Sequence, residues 1–162
     1  MQKELPTFRS ATRADSAAVQ TMVFEILREY QLIPDPGGTD TDLANLEHFY
    51  RLGWFAVIEL NEQIVGCVGL LPEESARDGV WELRKMYLHH TCRGRGWGRL
   101  LLNRALQEAR SRDACRITLG TASVLVEAIG LYEQSGFRRI NCTHTAARCD
   151  QVWELDLTKA PA

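Results

Sequence analysis

The chain has 162 residues, of which 45% are hydrophobic and 25% are charged, with 12 glycines and 5 prolines. This composition is typical of a folded globular protein and excludes disorder, collagen-like repeats and coiled coils. Nineteen basic and 21 acidic residues give a formal net charge of −2, so the surface as a whole has no attraction for nucleic acid or anionic lipid.

The length predicts one domain over residues 1–162, because a domain typically takes about 150 residues. The N-terminal segment lacks the apolar stretch of a secretory signal, and no later run approaches the roughly 18 apolar residues of a membrane span. The five cysteines are scattered without CxxC spacing, which favours a reducing compartment. We therefore predict a cytoplasmic protein with neither membrane nor nucleic acid as partner.

No part of the sequence has the spacing of a metal site. Cys142, His144 and Cys149 are near one another, with His89 and His90 far upstream, but no recognised ligand pattern links them. A free cysteine is usually a small buried hydrophobe. We therefore predict no metal.

Hydrophobic periodicity and turn residues define the elements of the first half. Apolar residues recur at steps of three and four from Val19 to Tyr30, which predicts an amphipathic helix. Thr12 and Asp15 have the spacing of a capping box at its start. Two β-rich runs separated at Asn61 predict a hairpin. The predicted elements are a strand over 8–11, helices over 12–30 and 40–50, the second with Leu43, Leu46 and Phe49 on one side, and strands over 54–60 and 63–70.

The second half alternates strands with helices. The predicted elements are a strand over 80–88, a helix over 97–109, a strand over 117–119, a helix over 123–134, and strands over 137–140 and 151–157. The apolar face of the first of these helices consists of Trp97, Leu101, Leu102, Ala105, Leu106 and Ala109. The order βααββ followed by βαβαββ predicts an α/β fold with a mixed sheet.

The most informative stretch joins the predicted strand over 80–88 to the helix that follows. It consists of Arg93-Gly94-Arg95-Gly96-Trp97-Gly98. Glycine allows left-handed dihedral angles and close approach of a ligand to the backbone. Unpaired N–H groups at a helix N-terminus favour an anion, and nearby arginines neutralise phosphate charge. The stretch therefore predicts a phosphate site, although a tight flexible connection would also account for glycines alone.

This glycine stretch does not match the common nucleotide motifs. It lacks the GxxxxGK[ST] pattern, and it is not a GxGxxG motif followed by an acidic residue about 20 positions later. Arg93-x-x-Gly96-x-Gly98 does match the [QR]-x-x-G-x-[GA] signature of the GNAT superfamily of N-acetyltransferases. ELRKMYL over 82–88 resembles the fourth strand of that family, and LYEQSGF over 131–137 resembles its LYxxxGF element. The resemblance spans nearly the whole chain.

The resemblance implies a single-domain GNAT-like fold, with a mixed twisted sheet of about six to seven strands flanked by four helices. It also implies acetyl-CoA as co-substrate, with the pyrophosphate in the glycine stretch and the pantetheine arm between the fourth and fifth strands. Many family members have an asparagine after the fifth strand, where this chain has Thr121 and Ser123 as candidate donors. The residues that the resemblance assigns to acetyl-CoA are Met86, Leu88, Arg93, Gly94, Arg95, Gly96, Gly98, Arg99, Thr121 and Ala128.

The resemblance further implies two catalytic side chains. Glu82 stands at the position of the base that deprotonates the amine, and Tyr132 at that of the acid that protonates the leaving thiolate. The Met86 N–H stands where the family stabilises the thioester oxygen. Strict alternation places Glu82, Arg84, Met86 and Leu88 on one strand face, a phase that a bulge would change. The structural alternatives are an ion pair between Glu82 and Arg84 and a core position for Tyr132.

We predict an acetyl-CoA-dependent enzyme that acetylates an amine by direct attack in a ternary complex, with a small-molecule acceptor favoured over a protein. Cys92 has no evident histidine and carboxylate partners, so no covalent acyl-enzyme is expected. The alternatives are a sensor or regulatory domain that binds an acyl-CoA without turnover, and a different donor such as succinyl-CoA. A pure binder needs neither Glu82 nor Tyr132. The sequence is compatible with a homodimer. It also leaves three alternatives for Glu82, which acts directly, through water or as a structural residue.

Two groups of residues indicate opposite charges for the acceptor. An acidic group beside proline and glycine forms either a lid that attracts a cationic amine or, the favoured explanation, a solvated loop. A basic group near the last two strands favours an acidic substrate instead. The acidic group is Asp35, Asp40 and Asp42, and the basic group is Arg138, Arg139, His144 and Arg148.

Overall fold

The structure is a computed structural model that describes residues 5–74, 78–142 and 148–159. The strands are β1 (Thr7–Ser10), β2 (Trp54–Leu60), β3 (Gln63–Pro72), β4 (Val80–Leu88), β5 (Arg116–Thr121), β6 (Arg138–Ile140) and β7 (Gln151–Asp156). In the described part of the chain they form one sheet of seven strands in the order β1-β2-β3-β4-β5-β7-β6. Strands β4 and β5 are parallel and all other neighbours are antiparallel, which confirms the mixed sheet.

Helices cover both faces of the sheet. They are α1 (Ser16–Glu29), α2 (Leu46–Phe49), α3 (Trp97–Ser111) and α4 (Val126–Gln134). Alternate residues of β2 point to opposite faces, so Ala56 and Ile58 pack in a core with α3, while Phe55 and Val57 pack in a second core with α1. Of the helices within the described residues, none combines the length and hydropathy that a membrane span requires.

The predicted apolar faces of α1 and α3 are confirmed by burial. The residues buried along them are Val19, Met22, Val23, Ile26 and Leu27 in α1, and Leu101, Leu102, Ala105, Leu106 and Ala109 in α3. The predicted capping box is also present, at the 3₁₀ turn Arg13–Asp15 that leads into α1, with the Thr12 N–H donating to Asp15 Oδ2 at 2.8 Å.

The continuous helix predicted over 40–50 is wrong. The segment forms a 3₁₀ turn at Thr41–Ala44 and then the single turn of α2. Asn45 has an extended backbone and separates the 3₁₀ turn from α2, and its side chain accepts a hydrogen bond from the His48 N–H. An asparagine at a helix start favours this capping conformation over a helix interior. The break changes the buried face, so Phe49 is 37% exposed whereas Tyr50 is 4% exposed.

Strand β4 contains a bulge that changes the phase of its side chains. Cys67 pairs with Tyr87 and Gly69 with Arg84, so β4 has one more residue than β3 between these pairs. The bulge includes Lys85, whose φ of 53° lies in the left-handed region. The buried Cys67 thiol donates to the Lys85 carbonyl at 3.1 Å, and burial raises the pKa of that thiol to about 12.

The bulge contradicts the single strand face predicted for Glu82, Arg84 and Met86. Arg84 contacts Thr39 and lies on the side of the sheet that carries α1. Met86 packs against the core beneath α3, on the opposite side. An extra residue shifts a strand with a two-residue repeat to the other face, which accounts for the change.

Strands β4 and β5 separate soon after they meet. Their pairing runs from Val80 opposite Arg116 to Glu82 opposite Thr118 and then ends. Beyond this point β4 continues along β3, while β5 continues along β7 as far as Thr121. The two parallel strands therefore leave a gap in the middle of the sheet.

Candidate active site

A cavity of about 450 Å³ occupies the gap between β4 and β5. Because the gap crosses the plane of the sheet, residues from both faces line it. The residues of β4 that do so are Leu83, Met86 and Leu88 from the α3 side, and Arg84, Lys85 and Tyr87 from the α1 side. The predicted backbone positions Met86 and Leu88 are thus both in the cavity wall.

The glycine stretch forms one end of this cavity. Gly94 and Gly96 have φ of 76° and 82°, and a Cβ added at either residue would meet nothing within 4 Å. Gly96 is the N-cap of α3 and, as a glycine, has no side chain with which to cap the helix. The first N–H groups of a helix have no partner within it, and they carry the positive end of its dipole. Gly94, Gly96 and Gly98 all line the cavity, so this end suits a phosphate.

The arginines around the glycine stretch differ in position. Arg93 lines the cavity and is held in place, because its guanidinium pairs with Glu29 at 2.5 Å and its Nε donates to the Leu88 carbonyl at 3.2 Å. Arg99 also lines the cavity and donates to Gln134. Arg95 is not in the wall, and its guanidinium lies 5.3 Å from the centre of the Trp97 ring.

Tyr132 lies on the α4 side of the cavity. It is 5% exposed, and its ring packs against Phe137 with centroids 5.7 Å apart. Its hydroxyl makes no hydrogen bond to any residue that the structure describes. Burial raises the pKa of Tyr132 above its ordinary value, so the phenol stays protonated at neutral pH. The geometry provides a proton donor in the cavity wall.

Glu82 lies beside the cavity rather than in its wall. It belongs to the last pair of residues between β4 and β5, where the strands begin to separate. Its carboxylate is 3.9 Å from Arg84 Nε, too far for a hydrogen bond. Burial raises the pKa of Glu82, with Arg84 acting in the opposite direction.

The end of β5 supplies the remaining predicted positions. Thr121 is 5% exposed and lines the cavity together with Ala128 of α4. Ser123 is outside the cavity wall, and both its N–H and its hydroxyl donate to Asp150 at 2.8 and 2.7 Å. Of the two candidate substitutes for the family asparagine, the structure brings only Thr121 to the cavity.

The sequence did not indicate the contribution of the C-terminal end of α1. Tyr30 lines the cavity and its hydroxyl donates to Glu127 of α4 at 3.2 Å. Arg93 stacks on the Tyr30 ring, 5.4 Å from its centre. Tyr30 and Glu127 are 97 positions apart, so no local pattern connects them.

The acidic group was predicted to form a lid or a solvated loop, but two of its three aspartates are buried and fit neither prediction. Asp40 is fully buried and Asp42 is 4% exposed. Lys85 Nζ lies 3.1 Å from Asp40 and 3.4 Å from Asp42, and Arg148 pairs with Asp40. Only Asp35 is exposed, and it accepts a hydrogen bond from the Thr39 N–H at 2.9 Å. Burial of an unpaired carboxylate is costly, so these pairings explain why two aspartates enter the interior.

The basic group is divided between the cavity and the surface. Arg148 lines the cavity, whereas Arg138 lies on the surface and pairs with Glu154. Arg139 is exposed on β6, and His144 lies outside the described residues. The structure groups no three metal-ligating side chains in the described ranges.

Comparisons with known proteins identify the family. A model of the acetyltransferase (GNAT) family matches residues 21–137. The uncharacterised N-acetyltransferase YjgM of Escherichia coli K12 is 33% identical over 141 residues, which cover 84% of each chain. The chain therefore belongs to the GNAT family and is an acetyl-CoA-dependent N-acetyltransferase.

Two further comparisons describe a relative and a fold. N-acetylaspartate synthetase of Danio rerio is 35% identical over 106 residues, which cover 64% of this chain and only 37% of that protein. The structure of yncA from Salmonella typhimurium, which contains acetyl-CoA, has a TM-score of 0.74 at 24% identity and covers 98% of this chain and 97% of its own. This likeness confirms the fold that the sequence predicted.

Replacing Gly96 with alanine is expected to weaken acetyl-CoA binding. A left-handed backbone costs a non-glycine residue about 1–2 kcal/mol, so Kd should rise about 5- to 30-fold if binding requires that conformation. Calorimetric titration with acetyl-CoA measures the change. Gly130→Ala is the control, since Gly130 lies in α4 with open space around its added Cβ and outside the cavity wall. Equal affinities for the two variants would contradict a role for the Gly96 backbone.

Proposed function

We propose that the protein transfers the acetyl group of acetyl-CoA to the amine of a small molecule by direct attack in a ternary complex. Glu82 would act as base, Tyr132 as acid and the Met86 N–H as donor to the thioester oxygen. The observation that supports this best is one cavity that extends from the N-terminus of α3 to Tyr132, whose hydroxyl bonds to none of the described residues.

The residues around the cavity fit the parts of acetyl-CoA. The exposed helix N-terminus at Gly96 suits a diphosphate, and Arg93 and Arg99 add positive charge in the same wall. Ala128 and Thr121 border the cavity where β5 meets α4, and a small side chain such as Ala128 leaves room for a pantetheine arm. That the related fold of yncA contains acetyl-CoA supports this assignment.

Three groups of the chain would serve the reaction. Bound acetyl-CoA supplies a thioester carbonyl whose oxygen gains negative charge during attack, and a main-chain N–H at Met86 would stabilise that charge without reorganisation. The Tyr132 phenol, kept protonated by burial, would protonate the departing thiolate. The Glu82 carboxylate lies outside the cavity wall, so we propose that it removes the amine proton through a water molecule.

The proposal is tested by measuring thiol release from acetyl-CoA with a panel of amino acids and polyamines, alongside calorimetric binding of acetyl-CoA. We expect release that depends on the added amine and saturates with it. Tight binding without amine-dependent release would contradict turnover and support the sensor. Competition between acetyl-CoA and succinyl-CoA distinguishes the two donors.

Replacing Tyr132 with phenylalanine is expected to lower kcat about 10²- to 10⁴-fold, because the thiolate loses its proton donor. The Kd for acetyl-CoA should stay unchanged, since only one oxygen is removed from a packed ring. Steady-state kinetics and calorimetry separate the two effects. Tyr87→Phe removes the hydroxyl of a second, partly buried tyrosine of the cavity wall and should keep most of its turnover. An unchanged kcat for Tyr132→Phe would remove this residue from the mechanism.

Replacing Glu82 with glutamine is expected to alter the pH profile of kcat/KM. A base works only when deprotonated, so the wild-type rate should fall as the pH falls through the raised pKa of Glu82. Above that pKa the variant should be about 10²- to 10⁴-fold slower, and below it the two profiles should converge. Initial rates with one amine across the pH range measure this. Profiles that stay parallel would indicate that Glu82 is structural.

A further inference from the structure

Three cations cluster on one side of the cavity, next to the bulge in β4. Arg84, Lys85 and Arg148 all line the cavity, and the carboxylates that face them are the buried Asp40 and Asp42. Three positive charges here meet two negative ones, and the carboxylate of Glu82, which lies outside the wall 3.9 Å from Arg84 Nε, offsets part of the excess. Charges in a partly desolvated cavity interact more strongly than they do in water.

The two aspartates are already occupied by partners other than Arg84. Both oxygens of Asp40 accept hydrogen bonds from Arg148, and Lys85 Nζ lies 3.1 Å away. Tyr50 donates its hydroxyl to Asp42 Oδ2 at 2.5 Å, and Lys85 lies 3.4 Å from Oδ1. Asp40 therefore has its partners without Arg84, whereas Asp42 Oδ1 accepts no hydrogen bond from any described residue.

Arg84 keeps most of its hydrogen-bonding capacity. Within the described part of the chain its single hydrogen bond goes to the Thr39 carbonyl at 3.4 Å. The nearest carboxylate oxygens, on Asp42 and Glu82, are 3.7 and 3.9 Å away, beyond hydrogen-bond distance. A guanidinium has five N–H donors arranged to hold a carboxylate by two bonds.

Two other arginines that line the cavity are each satisfied by a carboxylate. Arg93 makes two hydrogen bonds to the carboxylate of Glu29, and Arg148 makes two to that of Asp40. Arg84 has no such partner among the described residues, although a quarter of its side chain is exposed and it lines the cavity. Arg99 likewise lacks a carboxylate partner among the described residues, but it belongs to α3 beside the glycine stretch. Arg84 is therefore the cavity arginine that has spare donors close to Glu82.

The position of Arg84 relates it to the reacting groups. It stands two residues after Glu82, and the bulge separates it from Met86 on the opposite face of the strand. A molecule whose amine is near Glu82 and the Met86 N–H would extend its other end toward Arg84. A polyamine would instead bring a second positive charge against Arg84, which is unfavourable.

We infer that the acceptor is a small amine that also carries a carboxylate, and that Arg84 binds this carboxylate. The inference rests on the proposed acetyl transfer and adds the chemical class of the acceptor. Lys85 and Arg148 hold the surrounding aspartates, while Arg84 supplies the donors that recognise the substrate.

Matched acceptors test the inference in the wild-type protein. The pairs are L-leucine with L-leucinamide, and L-aspartate with asparagine and isoasparagine, so that each carboxylate is converted to an amide in turn. We expect kcat/KM for the preferred carboxylate to exceed that for its amide by at least about tenfold, because removing one partner of a close charge pair is costly. Amidation of an α-carboxylate also lowers the pKa of the amine, which by itself would make the amide react faster. A higher kcat/KM for the acid therefore cannot result from amine reactivity.

Variants of Arg84 test the residue. In Arg84→Gln the ratio of carboxylate to amide should fall toward one, through a higher KM for the carboxylate, with the Kd for acetyl-CoA unchanged. Arg84→Lys keeps the charge but loses the two-bond geometry and should give an intermediate ratio. Arg110→Gln, which removes the same charge from an exposed position on α3, should keep the wild-type ratio.

The outcomes separate this inference from the proposed function. Equal rates for acids and amides, or a ratio that neither Arg84 variant changes, would overturn the inference and leave acetyl transfer intact. Absence of amine-dependent thiol release from all acceptors would contradict both. Thermal unfolding of each variant is measured in parallel, and if Arg84→Gln does not fold, the ratio in Arg84→Lys decides.

Discussion

The geometry of the cavity depends on how Lys85 is held in the β4 bulge. A left-handed conformation costs a lysine about 1–2 kcal/mol, so the bulge requires contacts that fix it. The carbonyl of Lys85 accepts from the buried Cys67 thiol, and its ammonium lies between two buried aspartates. With both ends of the residue held, β4 keeps its pairing with β3 on either side of the extra residue while it departs from β5.

Stability alone does not explain the charged cluster beneath the cavity. Burying ion pairs carries a desolvation cost that often equals the electrostatic gain, so apolar residues would serve stability as well. What the cluster does provide is position, since Asp40 joins the segment before α2 to β4 through Lys85 and to the start of the last described segment through Arg148. Arg84 is left with spare donors because it lies 3.7 Å from Asp42 and 3.9 Å from Glu82, beyond hydrogen-bond distance of either carboxylate.

Local patterns in the sequence were sufficient for much of the fold. The apolar faces of α1 and α3, the hairpin of β2 and β3 and the glycine stretch at the start of α3 all depend on residues close in sequence. The resemblance to GNAT proteins then predicted which residues meet at the cavity, and the structure brings Met86, Thr121 and Tyr132 there.

The remaining features depend on contacts that no local pattern encodes. Asp40 and Asp42 have the composition of a solvated loop, but their burial depends on pairing with Lys85, more than 40 positions away, and for Asp40 also with Arg148. The phase of β4 could not be derived from alternation because the bulge depends on its register with β3. Asn45 has a side chain that favours helix caps, but the prediction of a helix over 40–50 relied on the apolar periodicity of the segment instead.

The hydrogen bond between Tyr30 and Glu127 reconnects two parts of the molecule that the sheet leaves apart. It joins α1, which packs on the β4 side, to α4, which follows β5, and both residues border the cavity. A single such bond contributes about 0.5–1.5 kcal/mol net, so thermal motion breaks it often. A long, flexible ligand therefore need not enter end first beneath this hydrogen bond. It can enter the cavity from the side while the bond is broken.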